Sequence, residues 1–172
     1  MRFEAEVIAA YGRHLRVRDA TGGEHDARPF GRRVQAVCGD RVACEHDAAH
    51  AEVHVTEVLQ RSNVLERATT RGGAEAVVAN LSQIVVVIAP APVPDLFVAD
   101  RYVAAAASLG IEALIALNKI DLLDSEARSV ADAMLVPYRK AGYRCVTCSA
   151  TRPESLTGLR AALAAHVSVM VG

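Results

Sequence analysis

The chain has no tryptophan, three phenylalanines and four tyrosines. Aliphatic side chains must therefore fill its core, and few rings remain for a base-stacking surface. Cysteine is sparse: Cys38 and Cys44 form a loose pair and Cys145 and Cys148 a close one. A chain of 172 residues needs no disulfide staple, and in a reducing compartment these thiols are expected to be buried. No apolar stretch reaches membrane-spanning length, and MRFEAEVIAAYGRHL places charges in its first few residues without a long apolar segment. The expectation is a protein without secretory signal or membrane span, located in the cytoplasm. Charge of one sign is lacking too: the formal net charge is -1 with 23% charged residues, which excludes a strongly basic nucleic-acid coat and confines any RNA contact to a local patch. Lysine is almost absent, Lys119 and Lys140 being the only two, while arginine carries the remaining basic charge.

What is present falls into two patterns. Up to about Ala68, short alternating runs (FEAEVIAA, HLRVRD, RVQAVC, DRVACEHD, AEVHVTEVL) are separated by Tyr-Gly, Thr-Gly-Gly and Gly-Asp turn signals. Five short strands at this spacing predict a small β-barrel over residues 1–68. TTRGGAEAVVAN then reads as a linker or mobile loop, residues 69–80, most flexible at Gly72-Gly73. From residue 81 to 172 buried-type strands alternate with helices. SQIVVVIAPAP, IEALIALNK, YRCVTCSA and HVSVMVG are the strands, and VADRYVAAAASLG, SEARSVADAMLVPYRKAG and SLTGLRAALAAH the helices. The fold class is therefore all-β followed by α/β, with helices packed on a parallel sheet. Asp100-Arg101 is expected at the start of its helix, and Pro137 is expected to kink or end the next.

The scarce lysine stands in Asn118-Lys119-Ile120-Asp121, directly after an apolar strand. In a parallel sheet, ligands sit beyond the carboxyl ends of the strands. A carboxylate at that edge accepts two parallel hydrogen bonds from a ring N–H and an exocyclic amine, an edge that guanine has and adenine lacks. Asp121 is thus the candidate for selecting guanine. The Asn118 amide would bond a ring nitrogen and hold neighbouring loops, and the Lys119 stem would lie flat on the base, a role for which a forked, planar Arg is a poor substitute. The next strand ends in Ser149-Ala150, whose small side chains let a backbone N–H approach the base oxygen. As a plain strand-end turn, the same four residues would carry no function at all.

Asn118-Lys119-Ile120-Asp121 with Ser149-Ala150 resembles the fourth and fifth motifs of translation-factor-class GTPases. The order is unusual, since nothing upstream matches G-x-x-x-x-G-K-[ST]. Together with Arg61-x-Asn63-x-Leu65-x-Arg67, Ala79-Asn80-x-x-Gln83 and Asp100-Arg101-Tyr102, the pattern resembles the bacterial ribosome-small-subunit-dependent GTPases. These are circularly permuted GTPases with an amino-terminal OB-fold that act in late maturation of the small subunit. The resemblance implies an OB-fold RNA- or ribosome-binding domain over 1–68. It also implies guanine-specificity motifs in a partial GTPase domain over 81–172, and Gly172 as the opening glycine of the phosphate loop. Ser82 departs from the family's usual Asp at that position. The resemblance further implies GTP and GDP as ligands, and Mg2+ and one structural Zn2+ only in the complete protein. Its partners would be the small ribosomal subunit and its rRNA. Without a phosphate cradle and metal clamp, residues 1–172 are expected not to hydrolyse GTP. The last strand, left as an edge, is expected to promote self-association, whereas the complete protein would be a monomer.

On the barrel, Arg28, Arg32 and Arg33 around Phe30 form the candidate RNA patch, and Arg13, His14, Arg16 and Arg18 alternate along another strand. Either set also reads as a solvated face. Cys145-x-x-Cys148 lies within a predicted strand and not at a helix start, which argues against redox or zinc chemistry. His46, His50 and His54 recur every four residues in a stretch that reads as a hairpin, so no metal site is assigned to them. The alternative function is an RNA-binding OB-fold adaptor whose second domain is a nucleotide-free scaffold.

Overall fold

A computed structural model describes residues 1–47, 52–70 and 72–172; His50 and Arg71 lie outside the described residues. The chain divides into two compact units, Met1–Asn80 and Leu81–Gly172.

In the first unit, β1 (Arg2–Tyr11), β2 (His14–Asp19), β3 (Glu24–Pro29), β4 (Arg41–Asp47) and β5 (Glu52–Val58) close a barrel in the order β1-β2-β3-β5-β4. The β3–β5 pairing is parallel and the others antiparallel. Alternation dictates this shape. Ala5, Val7, Leu15, Val17, Ala27, Val42, Cys44, Val53 and Val55 point inward and are buried, each large aliphatic one contributing about 1.5–3 kcal/mol. Bulges at Val7/Ala9 and Ala43/Cys44 add the bend that closure requires. The barrel is an OB-fold.

Two expectations for this region are corrected. RVQAVC is not a barrel strand: Val34 and Ala36 pack against the core from a loop, and only Cys38 makes a bridge, to Val78. The third strand is EHDARP, whose one buried side chain, Ala27, pairs with Leu15 on one side and Val53 on the other. Nor is 69–80 a linker throughout. Ala74–Ala79 forms β7, antiparallel to β6 (Val64–Ala68), because the alternation of EAVVA finds a partner in VLERA. Polar staples hold this hairpin to the barrel. The Arg61 guanidinium donates from Nε and a terminal nitrogen to the fully buried Asp40 carboxylate at 2.7 and 2.8 Å. Asn80 Oδ1 accepts from Ser62 N at 2.8 Å and its Nδ2 donates to Gly39 O at 2.8 Å.

The second unit runs β8 (Gln83–Ile88), α1 (Leu96–Leu109), β9 (Glu112–Leu117), α2 (Ser125–Met134), α3 (Val136–Lys140), β10 (Arg144–Thr147), α4 (Thr157–Leu163) and β11 (Ser168–Val171). Its sheet is parallel in the order β10-β9-β8-β11. The central β8 and β9 are buried on both faces, which explains their unbroken apolar runs. Helix α1 starts earlier than expected: Asp95 caps it, accepting from Phe97 N, and Gly110 ends it in a left-handed conformation. Asp100 therefore lies mid-helix, where its carboxylate accepts the Tyr138 hydroxyl of α3 at 2.8 Å. Ser82 accepts Val167 N on its hydroxyl at 2.9 Å and donates its own N–H to Val167 O, fixing the entry to β11.

Candidate functional site

Parallel pairing of Leu117 with Thr147 places the ends of β9 and β10 side by side, so residues thirty apart in sequence form one rim. Asn118 is fixed there by its own N–H, which donates to Ile88 O at 2.8 Å. Its side-chain oxygen accepts from Lys119 N at 2.8 Å, Ala150 N at 3.1 Å and, more weakly, the Cys148 thiol at 3.9 Å. Those donors fix the amide orientation and leave Nδ2 without a protein acceptor among the described residues. The chain then turns sharply, with Lys119 exposed and in the left-handed region at φ 60°. Ile120 is buried and donates its N–H to Cys148 O, which makes it the anchor of the turn.

Asp121 is half-buried, and its Oδ1 accepts the Ser149 hydroxyl at 2.5 Å. That bond, with help from Thr151 and the charge of Arg152, holds the carboxyl below the usual carboxylate range. It is therefore ionised at neutral pH and offers acceptor capacity only. Ser149 is fully buried, and its hydroxyl also lies 2.8 Å from Thr151 Oγ1. The rim thus gathers an ionised acceptor, an amide donor and a cationic stem, groups that a guanine edge would use, while the Ala150 N–H is taken by Asn118. Every motif residue named from sequence, Asn118, Lys119, Ile120, Asp121, Ser149 and Ala150, lies on this rim. Sequence reasoning missed Thr151 and Ser155, although the density of hydroxyls in CSATRPES was a visible signal. Gly172 follows β11 and lies against the Val87 carbonyl, where a Cβ would collide.

In the first unit, Arg28, Arg32, Arg33 and Phe30 are all exposed, and no ion pair engages these three arginines among the described residues. Arg13 and Arg32 line a groove of about 560 Å3 between barrel loops and β7. By contrast, Arg16 and Arg18 are both paired with Glu24, at 3.2 and 3.0 Å. All four cysteines are free, and burial raises their thiols, Cys44 to about 11. No group of three or more His, Cys, Asp or Glu side chains among the described residues is placed to hold a metal ion, so none of them is assigned to Mg2+ or Zn2+. No helix among them is long and apolar enough to cross a membrane.

The family model described as RsgA GTPase matches residues 58–172. The small ribosomal subunit biogenesis GTPase RsgA of Serratia proteamaculans is 38% identical over 169 residues, covering 96% of this chain and 48% of that protein. Its counterpart from Yersinia enterocolitica is 34% identical over 174 residues, covering 98% and 50%. The chain spans about half the length of the curated relatives it matches. Among solved structures, YjeQ from Thermotoga maritima superposes with a TM-score of 0.77 at 23% identity, and YloQ, described as a circularly permuted GTPase, with 0.72 at 22%. Each match covers the whole of this chain and 60% of the other, and shows the same barrel-then-sheet fold. Matched over more than half its length by the family model, and over nearly all of it by relatives a third or more identical, the chain belongs to the RsgA GTPase family.

Proposed function

We propose that the chain supplies the guanine-recognising and RNA-binding parts of a cytoplasmic GTPase that assists late maturation of the small ribosomal subunit. The observation that carries this is the rim at β9 and β10, where the ionised Asp121, held by Ser149, stands beside Asn118, whose Nδ2 has no protein acceptor among the described residues. Asp121 accepts the ring N–H and exocyclic amine of guanine. Asn118 Nδ2 donates to a ring nitrogen, the Lys119 stem covers one face of the base, and the Ser149-Ala150 backbone, its Ala150 N–H shared with Asn118 Oδ1 at 3.1 Å, completes the pocket beside the carbonyl oxygen. A site built on such bonds rejects adenine because Asp121 would face a partner without matching donors.

Phosphoryl transfer is a property of the complete protein. Residues 1–172 contain no G-x-x-x-x-G-K-[ST] sequence, and without that cradle and its Mg2+ they do not turn over GTP by themselves. In the first unit, Arg28, Arg32 and Arg33, unpaired among the described residues, serve with the exposed Phe30 as the rRNA contact.

Calorimetric titration of GDP and ADP into the chain tests the nucleotide assignment. GDP binds measurably and ADP does not, and Asp121→Asn weakens GDP binding by about tenfold or more, as expected for lost hydrogen bonds to a charged group. Equal binding of the two nucleotides overturns the proposal in favour of an RNA-binding adaptor with a scaffold domain.

A further inference from the structure

The base-reading loop after β10 is held from an unexpected direction. Cys148 continues the strand ladder to Leu117 O, and the Ser149 hydroxyl and Ala150 N–H face Asp121 and Asn118. Among the described residues, however, the peptide groups of Ser149 itself are bound only by residues further along the chain. Its N–H donates to Ser155 Oγ at 2.9 Å, and its carbonyl accepts from Arg152 N at 3.1 Å. The single hydroxyl hydrogen of Ser155 lies within reach of Arg152 O at 2.7 Å and Ser149 O at 3.0 Å. Pro153 opens the short 3-10 turn, Pro153–Leu156, that returns Ser155 to the loop, its fixed φ suiting that position. Since Ser149 is fully buried, its N–H has no water to fall back on if the Ser155 oxygen is removed.

We infer that Ser155 is a positioning residue for base recognition: by clamping the Ser149 backbone it aims the Ser149 hydroxyl at Asp121, whose carboxylate meets the ring N–H and amine of the base, and the Ala150 N–H at Asn118. The inference rests on the guanine assignment above, and it adds a specificity determinant outside both recognised motifs. A side chain that merely stapled a turn would affect folding stability and leave discrimination between bases unchanged. A residue that aims the hydroxyl holding Asp121 changes discrimination at the donors that this carboxylate meets.

The test is titration of the chain with GDP and with inosine diphosphate, followed by backbone amide NMR, which reads weak binding. The second nucleotide keeps the ring N–H and the oxygen and loses only the exocyclic amine that Asp121 meets. Wild type prefers GDP, Ser155→Ala reduces that preference by about fivefold or more, and Ser155→Thr, which keeps the hydroxyl, retains it. If Ser155→Ala does not fold, Ser155→Cys, similar in size and a poor acceptor, is judged by the same ratio. An unchanged preference in the folded variant, with only a lower melting temperature, overturns the inference alone. Failure of the wild type to distinguish GDP from ADP overturns the guanine assignment and this inference together.

Discussion

Arg61 and Asp40 illustrate how a residue that looks functional in a motif is explained by packing. Asp40 is fully buried, and its two oxygens take both guanidinium bonds plus the Val37 N–H at 2.8 Å. Removing the arginine strands a buried carboxylate, so Arg61→Ala is expected to cost about 3 kcal/mol, read from denaturant unfolding. Asp19 behaves differently, because its effect depends on pH. Its carboxylate pairs with His25 at 2.7 Å and accepts from the Thr21 hydroxyl and the Thr21 and Gly23 N–H groups. These bonds, His25 foremost, hold its pKa far below normal. A carboxyl depressed in the folded state stabilises the fold above its unfolded pKa and loses that contribution as the pH falls through the carboxylate range. Asp19→Asn should therefore flatten the acid limb of the stability curve below about pH 5, measured by thermal unfolding across pH; an unaltered slope would assign the acid sensitivity elsewhere. At this scale the motif letters in the sequence identified the rim, since Asn118 and Asp121 combine side-chain chemistry with a strand-end position. They did not identify Ser155: the hydroxyls of CSATRPES are visible in the sequence, but which of them turns back onto Ser149 is decided by the path of the chain.

At the scale of elements, the β6–β7 hairpin is the feature that a linker assignment overlooked. It depends on Gly39, which has φ 86° and sits where a Cβ would strike the Ala79 carbonyl. Gly39→Ala is expected to destabilise the first unit by about 1–2 kcal/mol from backbone strain alone. Pushing the hairpin off its bridge to Cys38 would add to this, seen as faster amide exchange across 64–79 than in wild type. Uniform exchange rates in both proteins would show that the close approach is relieved elsewhere. The sequence concealed this hairpin because Thr-Thr-Arg-Gly-Gly between its strands reads as loop, and the pairing of Val64 with Ala79 is settled only once Asn80 and Arg61 are pinned. The third barrel strand was hidden for a related reason: with Ala27 as its one buried side chain it has almost no alternation to detect. RVQAVC carries the alternation and packs Val34 and Ala36 on the barrel core, pairing only at Cys38 among the described residues. The central strands of the parallel sheet, in contrast, were legible, because strands buried on both faces have to be written as apolar runs.

At the scale of the whole molecule, the two units manage their sheet edges in different ways. The barrel closes on itself through β1 and β4 and leaves no edge. The parallel sheet is open, and β11 pairs with β8 on one side only. Its Ser168–Val171 backbone therefore presents free donors and acceptors, next to a Met170 side chain that is 57% exposed. A short, apolar, unprotected edge is a template for pairing with a second copy, and no charge, proline or bulge interrupts it. The polypeptide of residues 1–172 is accordingly expected to self-associate as its concentration rises, followed by light scattering over a dilution series. Met170→Lys places a charge on the edge and should shift the distribution towards monomer without lowering the melting temperature, because the side chain it replaces is mostly in water. A wild-type chain that stays monomeric across the series would mean that four short residues offer too little surface to bind a partner strand. In that case the edge is protected by its brevity alone.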